Sequence, residues 1–227
     1  MNFVAFIPAR GGSKRLPGKN SKSFCGRPLI EHTLEFAIKS NLFSKIVVSS
    51  DSNELLDFAS KWNVNSIKRP DQLSDDIATT ADAAKHTAET LVNENIPYDA
   101  LVTLQITNPF RTIEMLRNGI RLFSENECDA VISVSENTRK LGKIENDQFS
   151  PILYKAGQRS QDIDQLYYEN GLFYISKKET ILAGDIFGQK TMACIVPELF
   201  SLVDIDTKED FELGELLFNS YKHLLDF

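Results

Sequence analysis

The segment Ile7-Pro8-Ala9-Arg10-Gly11-Gly12-Ser13-Lys14-Arg15-Leu16-Pro17-Gly18-Lys19-Asn20 sets four cations, Arg10, Lys14, Arg15 and Lys19, beside two adjacent glycines. Glycine lets a backbone come close to a ligand and turn its N–H groups inward, and cations complete such a cradle. On a chain of net charge −7, this local positive cluster suits a polyphosphate, and a nucleoside triphosphate is the expected ligand. Two better-known phosphate loops do not fit. A dinucleotide fingerprint fails because no glycine follows Gly12 before Gly18. A P-loop fails because five residues, not four, separate Gly12 from Gly18-Lys19, and Asn20 stands where a metal-binding hydroxyl belongs. An exposed basic loop without a ligand is the competing reading.

Near the other end lies Val203-Asp204-Ile205-Asp206-Thr207. In an extended segment alternate side chains point the same way, so both carboxylates face one side and Ile205 the other. Two oxygen ligands beside a phosphate loop suit magnesium, or another divalent cation, which takes carboxylates together with phosphate oxygens and water. The plainer alternative is helix capping, with Glu209 completing a capping box begun by Asp206.

Further polar groups cluster at Gln105-Ile106-Thr107-Asn108-Pro109-Phe110-Arg111. Gln105 and Asn108 can read hydroxyls and amides of a sugar, and Arg111 could take a carboxylate. Thr112 is expected to cap the next helix. Asp75 and Asp76 also read as capping residues, whereas Arg69 and Thr80 are candidates for contacts to a base or ribose. Tyr167, Tyr168, Phe173 and Tyr174 surround Asn170-Gly171; because neighbours on a strand alternate, Phe173 and Tyr174 are not both expected to face the core.

These groups need elements to position them. Short apolar runs at Phe3–Ile7, Lys45–Ser49 and Ala100–Gln105 alternate with helical patterns at Leu29–Lys39, Asn53–Trp62, Ala81–Val92 and Ile113–Ser124, the signature of a parallel sheet with crossover helices. Leu29, His32, Thr33, Phe36 and Ala37 form a buried stripe at helical spacing, and Asp51-Ser52-Asn53-Glu54 reads as a helix start. Strands continue at Asp129–Val134, Gly171–Ile175 and Thr191–Val196, and a helix closes the chain from about Lys208 to Leu225. Residues 135–167 break the pattern. A structureless loop of that length is improbable, so a protruding hairpin is expected, with strands near Leu141–Ile144 and Gln148–Tyr154, packed on a second subunit. The basic loop, Ser49-Ser50-Asp51, the Gln105–Arg111 turn and Asp204-Ile205-Asp206 all stand near strand ends, where open α/β sheets bind ligands.

Composition excludes some classes. An acidic balance argues against a nucleic-acid binder, and no apolar stretch approaches a membrane span. Met1-Asn2-Phe3 runs straight into a strand without a signal-peptide pattern. Cys25, Cys128 and Cys194 are odd in number and scattered, so buried thiols in a reducing cytoplasm are expected. His32, His86 and His223 lack metal-ligand spacing. A single domain over residues 1–227 is the expectation.

Together these residues resemble the acylneuraminate cytidylyltransferases, or CMP-sialic acid synthetases. The opening Ile7-Pro8-Ala9-Arg10-Gly11-Gly12-Ser13-Lys14, with Pro17 and Lys19-Asn20, is close to the family's signature loop. Asn170-Gly171-Leu172-Phe173-Tyr174-Ile175 is similar to its N-G-A-I-Y-I strand, and Asp204-Ile205-Asp206-Thr207 to its D-I-D-T ending. The resemblance covers most of the chain. It implies an α/β, three-layer nucleotide-diphospho-sugar transferase fold and a homodimer joined through the 135–167 arm. It also implies a reaction: CTP and an acidic nine-carbon keto-sugar give the CMP-sugar and pyrophosphate, with magnesium.

Carried over, Ala9, Arg10, Gly11, Gly12, Ser13 and Lys14 surround the triphosphate, with Lys19 and Asn20 near phosphate and ribose. Arg69 and Thr80 match positions around the cytidine; Gln105, Arg159 and Tyr174 match sugar-side positions; Asp204 and Asp206 match metal ligands. Arg10, Lys14 and Asp206 are the expected catalytic residues. Two departures bear on the sugar. The family usually has L-Q-P-T-S-P where this chain has Leu104-Gln105-Ile106-Thr107-Asn108-Pro109, and Met192-Ala193-Cys194 stands where some members carry bulky aromatics. A legionaminate-like or pseudaminate-like sugar is therefore expected beside the sialic type. The alternatives are a 3-deoxy-octulosonate enzyme, whose relatives usually carry Q-G-D-E-P at the turn, and a non-catalytic nucleotide-sugar binding protein.

Overall fold

A computed structural model describes residues 1–74 and 77–225; Asp75 and Asp76, read above as capping residues, lie outside the described residues. The chain opens with β1 (Phe3–Pro8), and a short hairpin of β2 (Ser23–Phe24) and β3 (Arg27–Pro28) leads into α1 (Leu29–Ser40). Then come β4 (Lys45–Ser50), α2 (Asn53–Lys61), β5 (Asn65–Lys68), α3 (Thr80–Asn93), β6 (Ala100–Thr103) and α4 (Ile113–Glu125). After β7 (Ala130–Asn137) the chain leaves as a hairpin of β8 (Gly142–Glu145) and β9 (Gln148–Pro151). It returns as β10 (Leu166–Lys177), followed by α5 (Lys178–Leu182), β11 (Thr191–Ile195) and α6 (Lys208–Tyr221).

Among the described residues, seven strands form one sheet in the order β11-β7-β10-β6-β1-β4-β5. Neighbours are parallel except at β10, which is antiparallel to both β6 and β7. Period-two alternation in β1 feeds two cores. Phe3, Ala5 and Ile7 pack with residues of α1, α2, α4 and α6 on one face, while Val4 and Phe6 meet Ala83, Ala84, Ala88 and Leu91 of α3 and Ile181 of α5 on the other. Helices thus cover both faces, and the carboxyl ends of β1, β4, β5 and β6 all reach one edge.

Helix starts follow their caps. Thr112 accepts from the Met115 N–H at 3.2 Å, as expected, and Thr79 and Asp82 form a reciprocal capping box on α3. Several boundaries differ from expectation. Phe173 and Tyr174 are both buried: Phe173 joins the larger core, while Tyr174 is covered by the ring of Phe187 instead. Strand β10 begins at Leu166 rather than Gly171, and α6 ends at Tyr221, followed by a single 3-10 turn at Lys222–Leu224. Cys25 is only half-buried, while Cys128 and Cys194 are buried; all three are free thiols.

The arm is a two-stranded hairpin closed by Asn146 and Asp147, both in the left-handed region at φ 50° and 61°, the geometry of a tight type I′ turn. It leaves the sheet at 138–165 rather than 135–167, since β7 and β10 continue into its stem. Leu141, Ile144, Phe149 and Leu153 on it are exposed.

Candidate active site

The carboxyl edge of the parallel strands opens into a cleft of about 420 Å³, lined by Arg10, Lys19, Asn20, Arg69, Thr80, Gln105, Asp204 and Asp206 with their neighbours. Residues separated by up to 196 positions therefore meet at one place. The basic loop is fixed at both ends. The Ala9 N–H donates to the Ser49 carbonyl at 2.9 Å, and Asn20 Nδ2 donates to the Arg10 carbonyl at 2.9 Å, closing the loop on itself. Leu16 is buried beneath.

The glycines divide their work. The Gly11 N–H donates to Asp51 Oδ1 at 2.8 Å, so it does not turn toward a ligand as expected. A Cβ at Gly11 would fall 2.9 Å from the Ser52 Cβ, which makes close packing against the β4–α2 turn the reason for that glycine. Gly12 has open space around its missing side chain. Gly12 and Lys14 are exposed and Ser13 half-buried; of the loop residues from Ala9 to Lys14, Arg10 alone lines the cleft.

The two aspartates lie where the extended segment after Val203 runs beside the 105–107 turn, with the Ile205 N–H donating to the Thr107 carbonyl at 2.8 Å. Lys19 Nζ donates to Asp206 Oδ1 at 2.7 Å and to the Ile205 carbonyl at 2.9 Å. Arg15 Nη2 meets Asp206 Oδ2 at 2.5 Å. The expected capping box of Asp206 and Glu209 does not form. Thr207 and Asp210 make it instead, one residue later, which leaves the Asp206 carboxylate facing the cationic loop. Loss of bulk water inside the cleft raises the Asp204 carboxyl above the usual carboxylate range; the Thr107 hydroxyl opposes that rise and the like charge of Asp206 adds to it.

Polar atoms without partners mark where a ligand is wanted. Asn20 Oδ1 and Arg69 Nε are buried and have no hydrogen-bond partner among the described residues; such groups call for a ligand or water. Arg69 is otherwise held by the Ser49 carbonyl, 2.7 Å from Nη2, and its pKa is lowered by burial, an effect Asp51 counters and Arg10 reinforces.

On the far side, Gln105 lines the cleft. Tyr174, also expected on the sugar side, is not among the lining residues; it is stacked on Phe187 with ring centroids 6.2 Å apart, and its hydroxyl is pushed up to about 12 by burial and by the charges of Glu169 and Asp204. Three expectations are not met within this chain. Asn108 is fully buried, and its Nδ2 donates to the Asn170 carbonyl at 2.8 Å rather than facing the cleft. Arg111 is not available to a carboxylate: it is 1% exposed, and its guanidinium donates to the carbonyls of Leu172 and Gln105. Arg159 is not brought to the cleft. It lies on the arm, where its (i, i+3) spacing pairs it with Asp162 at 2.8 Å.

Sequence reasoning missed the roles of Arg15 and Asp51. Arg15 was legible only as a cation of the loop, and Asp51 only as part of a helix start and of a polar segment at the strand ends, not as the partner of the Gly11 N–H. A metal ion fits the donor set in one way, with Asp206 releasing the exposed Arg15 from its Oδ2. Among the described residues no cluster of three or more His, Cys, Asp or Glu could hold one. Two carboxylates would leave its other positions to ligand oxygens and water, which is the habit of magnesium.

A mostly parallel sheet that gathers a basic loop, orphaned polar atoms and a carboxylate pair at its carboxyl edge is the architecture of a nucleotide-handling α/β protein. The chain belongs to the cytidylyltransferase family, whose sequence model matches residues 4–224. It is 33% identical to a pseudaminic acid cytidylyltransferase of Campylobacter jejuni, over 96% of this chain and 97% of that one. It is 34% identical to an N-acylneuraminate cytidylyltransferase of Streptococcus agalactiae, over 96% of this chain and 54% of the longer relative. A solved CMP:2-keto-3-deoxy-manno-octonic acid synthetase, crystallised with CTP, superposes with a TM-score of 0.73 over 97% of this chain and 99% of that one, at 16% identity. That likeness establishes the fold alone.

Proposed function

We propose that this cytidylyltransferase activates an acidic nonulosonic sugar, of the sialic, legionaminic or pseudaminic type, with CTP to give the CMP-sugar and pyrophosphate. What carries the reading is the convergence of Arg10, Lys19, Asn20 and Arg69 with Asp204 and Asp206 on one cleft, in a chain whose full-length relative acts on pseudaminic acid. The anomeric hydroxyl of the sugar attacks the α-phosphorus in line; the new P–O bond forms as the bond to pyrophosphate breaks. Charge then grows on phosphoryl oxygens and leaving group, so catalysis is positioning and electrostatic stabilisation.

Arg10 and Lys19 meet that charge inside the cleft, and Lys14, exposed on the same loop, reaches the triphosphate from outside the lining. The main chain of Gly12 and Ser13 frames the phosphates, while the N–H groups of Ala9 and Gly11 hold the loop to Ser49 and Asp51. Asn20 Oδ1 accepts from the ribose, and Arg69 Nε with Thr80 reads the base. Gln105 and Tyr174 bound the sugar side. Asp204 and Asp206 would hold magnesium, which when bound neutralises phosphate oxygens. Asp206 also stands as the candidate proton acceptor.

Among the described residues no helix is long and apolar enough to cross a membrane, and we place the enzyme in the cytoplasm, where CTP is found. The exposed apolar side chains of the arm support a homodimer formed through it. Pyrophosphate release from CTP tests the reading, with sialic, legionaminic, pseudaminic and octulosonic acids offered in turn. Turnover with a nine-carbon acid is expected. Turnover with the eight-carbon acid alone would favour the octulosonate alternative, and none with any acid would favour a binding protein.

A further inference from the structure

Strand β10 pairs with β7 at both ends but not between them. Glu169 faces Val134 and Tyr174 faces Ile132, so Asn170, Gly171, Leu172 and Phe173 all stand opposite Ser133. Such a bulge leaves backbone groups unpaired, and here side chains replace the ladder. Ser133 Oγ donates to Asn170 Oδ1 at 2.6 Å and accepts from the Phe173 N–H at 3.0 Å. Asn170 Nδ2 donates to Ser135 Oγ at 3.0 Å.

The bulge also reaches the turn that follows β6. Asn108 Nδ2 donates to the Asn170 carbonyl at 2.8 Å, and Arg111 joins the carbonyls of Leu172 and Gln105. Within this frame Gly171 has φ +71°, and a Cβ there would fall 2.9 Å from Gln105 Oε1. The amide end of Gln105, a residue that lines the cleft, thus rests on the one residue of the bulge that has no side chain.

We infer that the Asn170–Phe173 bulge is a positioning device for Gln105, with Gly171 setting the direction in which that amide meets the acidic sugar. Gly171 is a positioning residue that touches no substrate atom. The inference rests on the reading that Gln105 faces the sugar, and the test separates the two.

Steady-state pyrophosphate release by the full chain is measured for Gly171→Ala, Asn108→Ala, Gln105→Ala and the Gln105→Ala/Gly171→Ala double variant. Gly171→Ala is expected to raise KM for the sugar about tenfold and Asn108→Ala about threefold, each leaving KM for CTP within about twofold. In the Gln105→Ala background, Gly171→Ala is expected to add less than about twofold, because its target is gone. Equal rises in both KM values, or full multiplication in the double variant, would overturn the inference. An unchanged sugar KM in Gln105→Ala would overturn instead the placement of Gln105 on the sugar side. Should Gly171→Ala not fold, the strain at its positive φ being the cause, Asn108→Ala decides: a rise in sugar KM alone supports the device, and an equal rise in both refutes it.

Discussion

Asp206 gives one oxygen to Lys19 and the other to Arg15, yet the two cations are not equivalent. Lys19 is 8% exposed at its side chain and is also tied to the Ile205 carbonyl, whereas Arg15 is 66% exposed. A preorganised cation in a dry site is worth far more than a solvated one. Lys19→Met is therefore expected to lower kcat on the order of 10²–10³-fold with CTP saturating, and Arg15→Gln less than about tenfold. Equal losses in the two variants would contradict this ranking.

His32 offers a different residue-scale test. Burial pushes its imidazole down to about 4; the Phe24 carbonyl and Glu35 favour the charged form, and Arg27 disfavours it. The unfolded chain takes up the proton first as pH falls below about 6.5. The contribution is thus complete above that value and lost as pH falls toward 4. Between pH 7 and 5 this costs about 2 kcal/mol, and in urea titrations His32→Gln should flatten that slope. An unaltered slope would assign the acid sensitivity elsewhere. In the sequence the glycine-cation loop and the D-x-D pair were readable as ligand-binding because each is local. The bonds from Lys19 and Arg15 to Asp206 were not, since about 190 residues intervene.

At the scale of elements, α4 packs directly on β10 at Gly119. A Cβ at Gly119 would meet the Phe173 ring at 2.5 and 2.8 Å, and that ring is fully buried beside the bulge. Alanine would gain roughly 1 kcal/mol of helix propensity, but overpacking costs about 1–3 kcal/mol, so Gly119→Ala is expected to lower the urea midpoint. A raised midpoint would show that the ring yields.

Buried parallel strands such as β1 announce themselves as unbroken apolar runs, and the stripe of α1 was legible for the same reason: a buried face leaves a period. Edge strand β5, Asn65-Ser66-Ile67-Lys68, carries one apolar residue and so has no period to read. The β2–β3 hairpin is too short to show one. Strand β10 was expected only from Gly171 because its first half, Leu166-Tyr167-Tyr168-Glu169-Asn170, has no continuous apolar run and leads into a bulge.

For the molecule as a whole, the hairpin arm concentrates apolar surface where nothing within one copy covers it. Ile144, 72% exposed, and Phe149, 56% exposed, lie at paired positions of the hairpin. Ile144→Asp with Phe149→Asp is expected to shift sedimentation from dimer toward monomer while far-UV circular dichroism stays unchanged. A species unaltered by both substitutions would place the contact elsewhere.

The strand order has a consequence for synthesis. β7 has only β10 and β11 as neighbours, and the outer side of β6 also waits for β10. Until residues 166–177 leave the ribosome, a nascent chain carries the facing edges of β6 and β7 unsatisfied, the feature that recruits other chains. Release at residue 165 would yield a fragment prone to self-association; twelve more residues heal both facing edges at once, and the outer edge of β7 then waits for β11 alone.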